Sequence, residues 1–322
     1  MLTDVFQRGS SYYLPEAVSF GEPMVEFNAR IEGRLRDVEL FERGFGGDTS
    51  NMAIALTRLG HSCGYITKVG ADEFGASLIN LWSRENVDIS HVIVEKKGFT
   101  GIYFVARMTN GSHEFTYYRR GSAASHFSPE DLDMEYINRA KVFHTSGITQ
   151  AISVSCRRAV ERVLDELDRT RVLVSYDPNL RLRLWSLPLA RRIILRTIAR
   201  SDIVFPSFDD AKALLKERTP EDLAKRMLEL GCRLVAMKMG SEGCIVAERS
   251  EIVKVPAFPV KVVDTTGAGD AFDAGFIASI LEGKNSRDSA IFANAVAALK
   301  CQGKGAVISQ PKRSDVECFL KQ

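Results

Sequence analysis

Beyond Pro129, apolar runs of strand length alternate with helix-periodic segments almost without interruption, and this rhythm most constrains the fold. Strand-like runs at 142–144, 172–177, 203–205 and 234–238 are separated by helical patterns at 154–168, 190–199, 209–216 and 221–230. A strand that rejoins its sheet through a helix does so by a right-handed crossover, which builds a parallel sheet covered on both faces. The expected class is therefore α/β, a doubly wound, mostly parallel sheet flanked by helices. Ligands of such sheets lie beyond the carboxyl ends of the strands. Asp177-Pro178-Asn179, Pro206-Ser207, Lys238-Met239-Gly240 and the stretch from Asp264 to Asp270 are all read as such ends, so they are expected to share one crevice.

The N-terminal part follows the rhythm less strictly. Residues 17–27 read as a strand running into Gly21-Glu22-Pro23, residues 31–43 as a short exposed strand, 63–69 as a strand and 73–85 as a helix. Residues 100–107 and 113–119 are β-rich and flank Asn110-Gly111, a strong hairpin signal. An antiparallel hairpin inside an alternating chain predicts a small second sheet, with segments 28–44 and 97–120 forming a lid. Residues 1–15 are expected to be a flexible extension, and 16–322 one domain.

With 322 residues, 45% of them hydrophobic, there is ample material for a core, and a net charge of +2 gives no reason to expect nucleic acid or an anionic membrane as partner. No stretch has the length and hydropathy of a membrane span. Six cysteines without a Cys-x-x-Cys pair point to reduced thiols in a cytoplasmic protein and away from structural zinc. Arginines gather between 181 and 200, mostly in a helical pattern that reads as a solvated face.

Two glycine motifs carry the chemistry. Gly267-Ala268-Gly269-Asp270 follows two threonines and opens a helix. Glycines there let the backbone approach a ligand, and the free N–H groups and dipole of a helix start favour an anion. Asp270 reads either as a cap or as a general base beside a phosphoryl group in transfer. Gly46-Gly47-Asp48-Thr49-Ser50-Asn51 likewise precedes a helix, as a ligand contact or as a tight strand-to-helix turn.

These segments, in this order, resemble the ribokinase-like (PfkB-type) carbohydrate kinases. Gly46-Gly47-Asp48-x-x-Asn51 is similar to the family's N-terminal signature, and Asp264-Thr265-Thr266-Gly267-Ala268-Gly269-Asp270 to its C-terminal one. The resemblance implies that Asp270 takes the proton from a sugar hydroxyl and that the amides of Gly267, Ala268 and Gly269 form the anion hole. A carboxylate of ordinary pKa is expected to be an adequate base for a loose transition state. The resemblance also implies ATP bound by Asn179, Ser207, Lys238, Gly240, Ser241, Gly243, Gly267, Gly269, Asn294 and Ala298. Magnesium is expected through water at Asp210, where Ser207-Phe208-Asp209-Asp210 departs from the family's Asn-x-x-Glu. Asp264 and Thr266 fall where some members hold a monovalent cation such as K⁺.

Within the family the chain is most similar to the 2-keto-3-deoxygluconate kinases. The resembling residues are Gly47, Tyr103, Tyr117, Arg119 and Arg181, expected on the sugar together with Gly46, Asn51 and Asp270, with Arg119 and Arg181 suited to a carboxylate. The resemblance therefore implies ATP-dependent phosphorylation of the terminal primary hydroxyl of a keto-deoxy sugar acid, and a homodimer through the lid sheet. The alternatives are a fructokinase, whose group shares the segment around Arg181, and a non-catalytic sugar- or nucleotide-binding protein.

Overall fold

The computed structural model describes residues 14–108 and 113–321. Residues 1–13 of the expected extension and the Asn110-Gly111 turn lie outside the described residues.

Strand β1 (Ala17–Phe20) is buried along its whole length. The chain then leaves the main sheet at Gly21-Glu22-Pro23, and β2 (Met24–Glu32) starts a second sheet. The strand predicted to lead into Gly21-Glu22-Pro23 is β1, and residues 24–27 open a strand of the second sheet. β3 (Phe41–Gly46) returns antiparallel along β2, from Met24↔Gly46 to Ala29↔Phe41. The predicted strand at 31–43 therefore resolves into the end of β2, a short 3-10 turn at Leu35–Asp37 and the start of β3.

The chain continues through α1 (Asp48–Arg58), β4 (Cys63–Gly70), α2 (Glu73–Arg84), β5 (Val92–Glu95), β6 (Ile102–Arg107) and β7 (His113–Tyr118). Among the described residues the small sheet has the order β3-β2-β6-β7. Its side chains alternate with period two. Tyr103 stacks on Tyr117 with ring centroids 5.5 Å apart, while on β6's next residue Phe104 stacks on Phe27 at 5.2 Å.

The second half holds α3 (Met134–Asn138), β8 (Val142–Ser146), α4 (Gly147–Ile152), α5 (Val154–Glu166), β9 (Leu173–Asp177), α6 (Leu187–Ile198), β10 (Ile203–Val204), α7 (Phe208–Leu214), α8 (Pro220–Leu230) and β11 (Leu234–Lys238). It ends with β12 (Cys244–Glu248), β13 (Ile252–Val255), α9 (Ala268–Leu281), α10 (Ser286–Cys301) and α11 (Arg313–Phe319). The large sheet has nine strands among the described residues, ordered β13-β12-β11-β10-β9-β8-β1-β4-β5. It is parallel except at β12 and β13, which extend one edge antiparallel.

Successive residues of β11 feed opposite layers. Val235 and Met237 pack with α6 and α8, whereas Leu234 and Ala236 pack with α9 and α10. Fully burying an aliphatic side chain of this size contributes about 1.5–3 kcal/mol, so both faces are strongly held. Helix α9 is apolar around most of its circumference because it is almost entirely buried.

One expectation about the crevice is corrected here. The segment before Asp264 is not a strand: Val262 and Val263 are 58% and 50% exposed. Instead, the N–H groups of Val263 and Asp264 donate to the Cys301 carbonyl, at 2.8 and 3.2 Å. The segment is docked on the carboxyl end of α10, which supplies the acceptor that a neighbouring strand would otherwise provide.

Candidate active site

The carboxyl ends of β9, β10 and β11 and the amino-terminal turns of α1 and α9 open onto one cleft of about 1520 Å³. The small sheet forms its opposite wall through Met24, Tyr103, Phe115 and Tyr117. Of the sequence-predicted residues, Gly47, Asn51, Tyr103, Tyr117, Arg119, Asn179, Arg181, Ser207, Asp210, Lys238, Gly240, Thr266, Gly267, Gly269 and Asp270 all line it. Gly46, Ser241, Gly243, Asp264, Ala268, Asn294 and Ala298 do not. Gly46 lies under the Tyr103 ring. The Asn294 amide is engaged structurally, donating to the Val255 and Pro256 carbonyls at 3.2 and 3.1 Å.

Helix α1 can start where it does because Gly47 adopts φ 108°, with Glu22 O only 2.4 Å from where a Cβ would stand. Gly267, at φ 80°, turns the chain into α9 in the same left-handed region. The N–H groups of Gly267 and Gly269 meet no acceptor among the described residues, as expected of an anion cradle. Ala268 departs from the predicted trio: its N–H donates to the Thr265 carbonyl at 3.0 Å.

Asp270 stands in the first turn of α9, buried, and its Oδ2 accepts from Asn51 Nδ2 at 2.7 Å. Asn51 Oδ1 is itself buried with no partner among the described residues. Burial, and after it the charge of Asp48, push the Asp270 carboxyl up to about 7, against the Asn51 hydrogen bond that holds it down. The expectation of an ordinary pKa is corrected accordingly: this carboxyl is enclosed among acids.

Those acids are tied together. Asp48 accepts from Thr49 N and Asn179 Nδ2, both at 2.8 Å. Burial raises its pKa, and Asp177 adds to the shift. Asn179, at φ 31°, is one of the residue types that tolerate positive φ, and its N–H donates to Asp177 Oδ1 at 3.0 Å. Lys238 Nζ donates to Asp177 Oδ2 at 2.9 Å and Asp273 Oδ1 at 3.0 Å. Burial alone would lower the lysine's pKa, but the two aspartates hold it well above its ordinary value. Asp210 donates its N–H to Ser207 Oγ at 3.1 Å, and burial followed by Asp177 raises its carboxyl. Asp48, Asp177 and Asp273 had no role in the sequence-level site. The first two were visible only as motif letters, and the signal for Asp273 was a lone acid in an apolar helix.

The residues of the small sheet and its flanks divide. Arg119 forms an ion pair with Glu22, whose side chain is 0% exposed and whose other oxygen accepts from Ser122 Oγ at 3.0 Å. The Tyr103 hydroxyl donates to Glu26. Arg181 and Arg120 line the cleft without a carboxylate partner among the described residues. Among the described residues Arg181 Nη1 donates only to the neighbouring Leu180 carbonyl, at 3.0 Å.

Among the described residues no group of three or more His, Cys, Asp or Glu side chains is arranged to hold a metal ion. Asp210 and Asp177 nevertheless suit a divalent ion bound through water, since both line the cleft and the charge of Asp177 raises the Asp210 carboxyl. The surroundings of Asp264 do not suit a monovalent cation. Its carboxylate accepts from Thr266 N at 2.9 Å and Gly305 N at 2.8 Å, and its carbonyl accepts from Lys300 Nζ at 2.8 Å. A protein ammonium, that of Lys300, thus lies against the Asp264 carbonyl.

The sequence matches the pfkB family carbohydrate kinase profile over residues 14–313. It is 37% identical over 308 residues to 2-dehydro-3-deoxygluconokinase of Thermoproteus tenax, covering 94% of each chain. It is 34% identical to probable fructokinase-6, chloroplastic, of Arabidopsis thaliana, covering 97% of this chain and 84% of that one. The fold superposes on a putative Ribokinase II from E. coli, solved with ATP and Mg²⁺, with TM-score 0.89 at 28% identity, covering 96% and 99% of the two chains. With its glycine-cradled helix start, buried carboxylate and matched length, the chain belongs to the pfkB family and is a carbohydrate kinase.

Proposed function

We propose that this kinase transfers the terminal phosphoryl group of ATP to the primary hydroxyl of 2-keto-3-deoxygluconate or a close keto-deoxy sugar acid. The observation that carries the proposal is that Arg120 and Arg181 both line the same cleft as Asp270 with no ion pair among the described residues, Arg181 alone lying in a segment that fructokinases share. A planar guanidinium matches a substrate carboxylate bidentately. The similarity to the 2-dehydro-3-deoxygluconokinase of Thermoproteus tenax supports the same choice.

Asp270 accepts the hydroxyl proton, held in place by Asn51, whose unpartnered Oδ1 is available to a second sugar hydroxyl. The N–H groups of Gly267 and Gly269 face the charge that builds on the phosphoryl oxygens. Lys238, Asn179, Ser207 and Gly240 form the nucleotide side, and Asp210 with Asp177 would hold Mg²⁺, which neutralises phosphate charge when bound. Tyr103 and Tyr117 cover the sugar from the small sheet, which acts as a lid. Exposed Ile31 and Tyr118 on that sheet support pairing of two copies. The location we propose is cytoplasmic, in keeping with six free thiols.

The test is turnover with Mg·ATP on 2-keto-3-deoxygluconate and on fructose. A charge-assisted bidentate contact worth roughly 1.5–3 kcal/mol predicts kcat/KM higher for the acid by about 10- to 150-fold. The fructokinase similarity supplies the competing outcome: equal or better turnover of fructose would overturn the choice of substrate.

A further inference from the structure

Lys300 lies at the carboxyl end of α10 with 0% of its surface exposed. Its ammonium donates to the Asp264 carbonyl at 2.8 Å and has no second acceptor among the described residues. Enclosing an ammonium in this way is unfavourable unless a negative field compensates it. That field comes from Asp264, Asp270 and Glu26, and from the negative end of the helix that carries the lysine. Burial nonetheless leaves its pKa below the ordinary value.

The position has consequences for the site. Asp264 begins the Asp264–Gly269 strap, whose Gly267 and Gly269 line the cleft, and both its carboxylate oxygens are bonded to backbone N–H groups, of Thr266 and of Gly305. Its carbonyl is therefore the free handle by which a positive charge can fix the strap. Lys300 holds that handle, a tethered charge that loses no translational freedom on binding.

We propose that Lys300 is a built-in monovalent cation, a positioning residue that orders the anion-hole strap so that the kinase needs neither K⁺ nor NH₄⁺. The proposal rests on the strap before Asp270 being the transfer site. It does not depend on which sugar is the substrate, so the test uses whichever of 2-keto-3-deoxygluconate and fructose is turned over better.

The test has two readouts, kcat in KCl, NH₄Cl and choline chloride at equal ionic strength, and thermal melting without sugar in the same salts. The wild-type rate is expected to differ by no more than about twofold among the salts, the size of general salt effects. Lys300→Ala in choline chloride is expected to lose on the order of 10²-fold in kcat, as when one preorganised electrostatic contact is removed. KCl, NH₄Cl or ethylammonium chloride is then expected to restore at least about tenfold of that loss and to raise the variant's melting temperature selectively. Activation of the wild type by K⁺ of about tenfold or more would overturn the proposal. A folded Lys300→Ala that none of the cations rescues would also overturn it, by leaving the lysine a packing role. Should the variant not fold, the wild-type salt comparison decides.

Discussion

Asp270→Asn is expected to lower kcat by on the order of 10³-fold, within the range for loss of a general base, while the protein still binds sugar and nucleotide. The amide keeps the volume of the carboxylate and can turn its oxygen toward Asn51 Nδ2, so the first turn of α9 keeps its contact. Unfolding would not explain the loss, and the sign of the pKa shift shows why. A carboxyl raised from 3.8 to about 7 favours the folded state most when protonated, and that stability is lost as pH rises through about 7. At pH above about 7 the neutral amide is spared that loss, so the variant should melt at the wild-type temperature or higher. Calorimetric titration with sugar, a melting curve and steady-state turnover separate the three effects. Near-full turnover would remove Asp270 from the proton transfer.

Arg119→Ala is expected to destabilise the protein by about 3–5 kcal/mol, read from urea denaturation, because removing one member of a buried ion pair strands the other. Glu22 has no exposed side-chain surface, and without the guanidinium only Ser122 Oγ would serve its carboxylate. From sequence, Arg119 is a substrate-carboxylate ligand, and its loss would impair turnover of the acid alone. The ion pair predicts a different pattern, weakened folding and a comparable loss on every sugar. The double change Glu22→Gln with Arg119→Ala should recover much of the stability, since no unpaired buried charge then remains. If Arg119→Ala folds as well as the wild type and fails only on the acid, the guanidinium belongs to the substrate.

These cases mark where sequence was sufficient. Periodicity revealed the parallel sheet because crossover geometry is local and repetitive, and the ends of β9, β10 and β11 meet at the cleft as expected. Glycine before Asp48 and before Ala268 was legible because left-handed turns into helices demand it. Partnership was not legible. Arg119 and Glu22 are 97 residues apart, and Lys238 reaches Asp177 and Asp273 across 61 and 35 residues. No periodicity encodes such pairs. Lys300 was hidden for a different reason: a lysine in the last turn of an alanine-rich helix reads as a solvated cap that complements the dipole, yet here it points into the protein. The reading of Asp264 as the end of a strand misled in the opposite direction, because β propensity in the valines before it cannot tell a sheet edge from a helix end that offers a carbonyl.

The most direct test of the central claim, a buried carboxylate at 270 acting as base, is kcat/KM against pH from about 5 to about 9, for the wild type and for Asn51→Ala. Protonation of Asp270 removes the lone pair that takes the proton, so the wild-type value should fall about tenfold per unit below an apparent pKa near 7. Asn51 donates to the ionised form and holds that pKa down, so its removal should move the acid limb to higher pH. A profile that stays level to the acid end, or a limb that moves to lower pH in Asn51→Ala, would contradict the account.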